Sequence, residues 1–142
     1  MLKTAFEELT LERGEVINIL GMTVHMERDK GRAVINQKRF VDKLTEEFTV
    51  AKSAITPATA DLLYEREDSG LMRDQKKFMS LNATLSMYAS KRTYAEISFP
   101  VVYLVSKYNK ATEDDYGKAM RIAEYIMGCG DEHSLILAPK SL

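Results

Sequence analysis

A chain of 142 residues, 45% apolar and 29% charged, fits one globular domain with one modest core, burying roughly two-thirds of the surface its unfolded form exposes. Twenty Lys plus Arg stand against twenty-one Asp plus Glu, and the net charge of -1 gives no global attraction for nucleic acid or an acidic membrane, so any polyanion contact has to come from local patches. The single cysteine, Cys129, rules out an internal disulfide and leaves no cysteine cluster for zinc, so no structural metal is expected.

The opening stretch places Leu2, Phe6 and Leu9 at helical spacing and ends at Arg13-Gly14, predicting a short helix from Leu2 to about Leu11. It starts abruptly, without an N-cap, as a chain beginning inside a larger domain would. It is amphipathic and acidic, unlike a signal peptide, and the longest apolar run, Phe99 to Val105, falls far short of the roughly 20 residues of a membrane span. A cytosolic or nuclear protein, neither secreted nor membrane-bound, is the expectation.

A β-rich run from Val16 to Met26 follows, with Gly21 inside it expected to mark a bulge or a place where another backbone approaches closely, and Ala33 to Asn36 returns after the polar turn Arg28 to Arg32. The pair reads as a β-hairpin whose Gly31 supplies a positive φ. From Gln37 the period becomes helical, with Phe40, Val41, Leu44 and Phe48 on one face and Lys38, Arg39 and Lys43 largely on the other. Residues 49–73, with Pro57, Gly70 and many small polar side chains, read as a long surface connection.

Helical spacing resumes at Phe78, Leu81, Leu85 and Tyr88 and stops near Lys91-Arg92. A second helix is expected from about Glu96, with Pro100 tolerated as a local distortion unless it occupies the first turn. Thr112 followed by Asp115 predicts a capping box for a helix ending at Gly128, and Ser134 to Ala138 reads as a short final strand or an extended tail ending at Pro139. Met72, Met79, Met87, Met120 and Met127 read as core filler.

The order of these pieces resembles the region after the catalytic motif in copia-type retrotransposon reverse transcriptases. Ile19 to Val24 is similar to that family's phenylalanine-leucine-glycine strand in the primer-grip hairpin, and Ile35 to Phe40 with Lys43-Leu44 to its glutamine-lysine-tyrosine helix start. Thr56-Pro57 resembles its threonine-proline, Ser80 to Leu85 with Tyr88 its serine-x-x-glycine-x-leucine-x-tyrosine helix, and Lys91 to Ile97 its threonine-arginine-proline-aspartate-isoleucine segment. Tyr116 with Arg121 to Gly128 resembles its helix from tryptophan to lysine-glycine. Each motif alone is weak, whereas all of them in one order at compatible spacings are specific. The chain departs from the pattern at Tyr94-Ala95, at Asn82-Ala83 and at Pro100, as a divergent or decaying copy would.

The resemblance implies an α+β fold: residues 1–48 as palm-edge helix, β-hairpin and first thumb helix, 49–73 as connection, and 74–142 as the rest of a mainly α-helical thumb-like bundle. It implies an RNA/DNA primer-template as ligand and the remainder of a reverse transcriptase polyprotein as partner. The family's aspartate pair, which holds two Mg²⁺, would precede Met1, so Mg²⁺ belongs to the missing catalytic part and this chain by itself is expected to be inactive. Asp114-Asp115 reads as helix capping, His25 and His133 stand far from any nucleophile, and Cys129 reads as an incidental loop thiol. The alternative is a non-catalytic helical interaction domain, or an inactive remnant, using the exposed side of the 49–73 connection.

Candidate binding residues follow from both lines. Leu20, Gly21 and Met22 match the primer-grip strand. Basic pairs or triplets occur at Lys38, Arg39 and Lys43, at Lys91 and Arg92, and at Lys107 and Lys110, because phosphate neutralisation supplies most sequence-independent affinity. The last two clusters lie near helix ends, where dipole complementation explains them equally well.

Overall fold

The computed structural model describes residues 15–90, 93–130 and 133–139; the helix expected over 2–11 and the pair Lys91-Arg92 lie outside them. The fold is α+β. Three consecutive strands, β1 (Val16–Ile19), β2 (Met22–Glu27) and β3 (Arg32–Asn36), form an antiparallel meander, and β4 (Leu135–Leu137) adds to β3 from the far end of the chain. Among the described residues four α-helices lie between β3 and β4: α1 (Lys38–Glu47), α2 (Gln75–Thr84), α3 (Ser98–Val105) and α4 (Glu113–Gly128).

The expected single strand from Val16 to Met26 is corrected to two strands joined at Leu20-Gly21. Both residues have positive φ, 50° and 77°, the backbone of a two-residue type I′ turn, whose twist matches the flanking strands. Gly21 is therefore a turn residue, and Ile19 faces Met22 in register. Leucine in the left-handed region carries a steric cost that Asn or Gly would avoid. At the next turn a 3₁₀ segment, Arg28–Lys30, closes on Gly31 at φ 59° as expected.

The core lies among the helices. Phe78, Leu81, Leu85, Ile97, Val101, Leu104, Ala119, Ile122, Ala123 and Ile126 are fully buried, and Leu44 and Phe48 bring the predicted face of α1 onto them. Every described strand residue, by contrast, stays outside this buried set, and Val16, Ile19, Ile136 and Leu137 are about half exposed. The sheet is thus a thin flap leaning on α1. Of the methionines expected as filler, Met72 is buried, Met79 and Met120 pack against the core, and Met87 is exposed.

Pro100 lies in the first turn of α3, after a 3₁₀ turn over Ala95–Ile97, where the missing N–H would have no intrahelical partner. The expected distortion is therefore unnecessary. At α4 the capping box is present: Thr112 Oγ1 accepts from Asp115 N–H at 3.2 Å and Asp115 Oδ2 accepts from Thr112 N–H at 2.9 Å. Thr112→Ala should cost about 1 kcal/mol, read as a lower denaturant midpoint with unchanged slope.

The 49–73 connection has no helix of its own, yet it is fastened along α4. Ala54 N–H donates to the Glu124 carbonyl at 3.1 Å, Arg121 donates to Thr56 Oγ1 at 2.9 Å, and Lys118 donates to the Tyr64 carbonyl at 2.6 Å. At its end the Gln75 side chain bonds the Met72 and Ala111 carbonyls and the Ala111 N–H. Leu62 and Met72 anchor it by burial, while Ile55, Leu63 and Tyr64 stay exposed.

Candidate nucleic-acid interface

The turn between β1 and β2 and the exposed face of α1 meet. Gly21 at the turn, Arg39, Phe40, Lys43, Leu44 and Glu47 along α1, and Thr84 at the end of α2 line one groove of about 440 Å³. Arg39 and Lys43 are one helical turn apart, so both present charge to the same wall, with Phe40 and Leu44 as its apolar floor. Leu20 projects beside it, 75% exposed. Met22, half-buried, begins β2 and fixes the register of the hairpin through Ile19.

Lys38 is set apart from this pair. It faces Asp42 one turn along, at 3.6 Å, and does not line the groove. The helix nevertheless starts with two cations, Lys38 and Arg39, and no acid in its first turn, at the end where the backbone dipole is positive. Sequence of this kind runs against local preference, and an anion bound there would relieve the conflict.

Lys107 is almost fully buried, pairs with Glu65 and lies over the Tyr103 ring at 5.4 Å. The contact with Lys107 holds the Glu65 carboxyl below its usual range, and Glu65 in turn raises the lysine. Lys110 lines a shallow depression of about 250 Å³ with Glu65, Arg66, Glu67, Asp114 and Asp115, where charges of both signs are interleaved. Lys107 of this third cluster thus braces the connection against the turn that follows α3. Asp114 there pairs with Lys118 at 2.9 Å, and Asp115 is used in the capping box.

Several of the short sequence segments singled out above are tied to one another or to neighbouring elements. Gln37, only 1% exposed, accepts at Oε1 from Thr93 Oγ1 at 2.8 Å and from Thr93 N–H, joining the glutamine-lysine motif to the threonine-arginine one. Thr56 meets Arg121, and Asn82 donates to the Val101 carbonyl at 3.4 Å. Gly128 lets the connection close on α4: a Cβ there would stand 2.7 Å from the Ala54 carbonyl oxygen and 3.1 Å from Ser53 Cβ. Gln37, Thr93, Thr56, Arg121, Asn82 and Gly128 are thus joints of the fold, whereas Gly21, Arg39 and Lys43 face solvent in the groove.

One polar cluster lies elsewhere and was missed by sequence reasoning. Glu96, Cys129 and His133 bring their donor atoms within 4.8 Å of one another. His133 stacks on Tyr94 with ring centroids 4.1 Å apart and planes 9° off parallel, and Tyr125 donates to Glu96 at 2.9 Å. Burial pushes the Cys129 thiol up and holds the Tyr125 phenol neutral, the reverse of what an activated nucleophile needs. Only the Cys-x-x-x-His spacing was visible in the sequence, because Glu96 arrives from a distant turn.

Comparison with known protein families, with curated proteins and with solved structures finds no match for this chain.

Proposed function

We propose that this chain is the post-catalytic part of a copia-type RNA-directed DNA polymerase, a thumb-like element that holds the primer-template beside a catalytic centre borne by other residues. The carrying observation is the shared groove of Gly21, Arg39 and Lys43: a tight backbone turn for close approach and two cations for phosphates, on one apolar floor. Two further features support the reading. Leu20 keeps a costly left-handed backbone at an exposed tip, a kind of strain that clusters at functional sites. The sheet leaves both its outer strands half exposed, as the edge of a palm would before the rest of the polymerase covers it.

Among the described residues the adjacent carboxylates Asp114 and Asp115 are taken up by Lys118 and the capping box, and the role we assign to this chain is positioning of the primer-template. A primer whose 3′ end carries a photoreactive nucleotide, annealed to an RNA template, should crosslink to the peptide holding Leu20 to Met22. Crosslinks confined to the braced surface around Lys107 and Lys110 would contradict the assignment.

A second reading, a helical protein-interaction domain, is favoured by the exposed Ile55, Leu63 and Tyr64 on the connection and by Phe99, Val102 and Val105 along α3. It predicts self-association or partner capture through these side chains and no salt-dependent binding to a hybrid duplex.

A further inference from the structure

We propose that Glu96, Cys129 and His133 bind a divalent transition-metal ion of the zinc type, with solvent as fourth ligand and Tyr125 orienting the carboxylate. The inference rests on this cluster alone and is independent of the nucleic-acid reading. A thiol, an imidazole and a carboxylate are the donor set that zinc takes, and zinc outcompetes most divalent ions for mixed sulfur and nitrogen sites. With bonds of about 2.3 Å to sulfur and 2.0–2.2 Å to nitrogen and oxygen, neighbouring donors of a tetrahedral site stand roughly 3.4–3.6 Å apart. His133 Nε2 and Glu96 Oε1 already lie 3.5 Å apart, and all three donors fall within 4.8 Å of one another, so Cys129 needs only a small inward shift.

The fold sets these groups in place from three directions. Glu96 sits in the 3₁₀ turn between buried Tyr94 and buried Ile97, which fixes its backbone. Cys129 caps α4, its N–H donating to the Tyr125 carbonyl at 3.0 Å, and Gly130 at φ 64° turns the chain back toward His133. The His133 ring is held flat against Tyr94, and its Nε2 reaches the Thr93 carbonyl at 3.2 Å. Tyr125 hydrogen-bonds Glu96 and also neighbours Cys129, the outer-shell arrangement that aims metal ligands.

Coordination replaces the S–H bond of Cys129 by an S–metal bond, with the proton going to buffer. The imidazole proton moves to Nδ1, so Nε2 gives its lone pair to the metal in place of its contact with Thr93. The bound ion would tie the end of α4 and the approach to β4 onto the turn before α3, fastening the strand that completes the sheet.

The test is a Co²⁺ titration of the reduced full chain, followed by competition with Zn²⁺. The expected result is a one-to-one endpoint with a thiolate-to-cobalt charge-transfer band and intense tetrahedral visible bands, both erased by Zn²⁺. Cys129→Ser should abolish the charge-transfer band, His133→Ala and Glu96→Gln should each weaken binding by at least about ten-fold, and Tyr125→Phe should cost about ten-fold through lost orientation. Circular dichroism without metal should match wild type for Glu96→Gln and Tyr125→Phe, whose side chains are partly in solvent. A missing charge-transfer band in folded wild type, or binding unchanged in both Glu96→Gln and His133→Ala, would overturn the site and leave only the Tyr125–Glu96 hydrogen bond.

Discussion

Phe78→Ala is expected to lower unfolding free energy by about 3–5 kcal/mol, the cost of removing a fully buried aromatic ring and leaving a cavity. The ring sits edge-on to Tyr108, centroids 6.0 Å apart at 88°, so an aromatic contact is lost together with the buried area. Native domains are stable by only about 5–15 kcal/mol, so this one change should remove a large share of the total. Denaturant unfolding monitored by circular dichroism measures it. A loss under about 1 kcal/mol would mean that α2 does not pack into the core as described.

The second large effect runs against simple helix propensity. In a free helix Gly→Ala is favourable by about 1 kcal/mol, yet Gly128→Ala should destabilise this protein by about 1–3 kcal/mol. Its Cβ would meet a backbone oxygen, that of Ala54, at 2.7 Å, and a backbone atom moves only if the connection lifts from α4. Lifting it endangers the Ala54 to Glu124 hydrogen bond and, beyond it, the Arg121 to Thr56 contact. Thermal unfolding settles the sign: a raised midpoint would show that the connection does not close on α4 there. Gly117→Ala, which meets nothing within 4 Å in the same helix, is the matched control and should stabilise slightly.

Legibility in the sequence followed the range of the interaction. The apolar face of α1 and the Thr112–Asp115 capping box are set by side chains within one or two turns of each other, and both were readable; the short apolar run at Leu135–Leu137 showed a strand, but not its pairing with β3 a hundred residues away. The split at Leu20-Gly21 was not, because an unbroken apolar alternation runs through it and leucine is a residue no turn preference selects for a positive φ. Pro100 was misread because the boundary of α3 is set by the preceding 3₁₀ turn, which carries no periodic signal.

Among the candidate binding residues, spacing alone could place Lys38, Arg39 and Lys43 together but could not separate them. Only the packing of the hairpin against α1 shows that Arg39 and Lys43 share a groove with Gly21 while Lys38 turns to Asp42. Lys107 looked like any basic residue after a helix, and its burial against Tyr103 and Glu65 depends on a chain segment far away in sequence. The meeting of Glu96, Cys129 and His133 is likewise a tertiary event.

Whether the groove beside Leu20-Gly21 holds a primer-template can be read from binding of the chain to a labelled RNA–DNA hybrid across a salt series, for wild type, Arg39→Ala/Lys43→Ala and Lys38→Ala. Log affinity should fall linearly with log salt, the double variant should flatten the slope by about 2, one unit per lost phosphate contact, and Lys38→Ala should change it less. No binding of wild type at low salt, or identical slopes for wild type and the double variant, would contradict it.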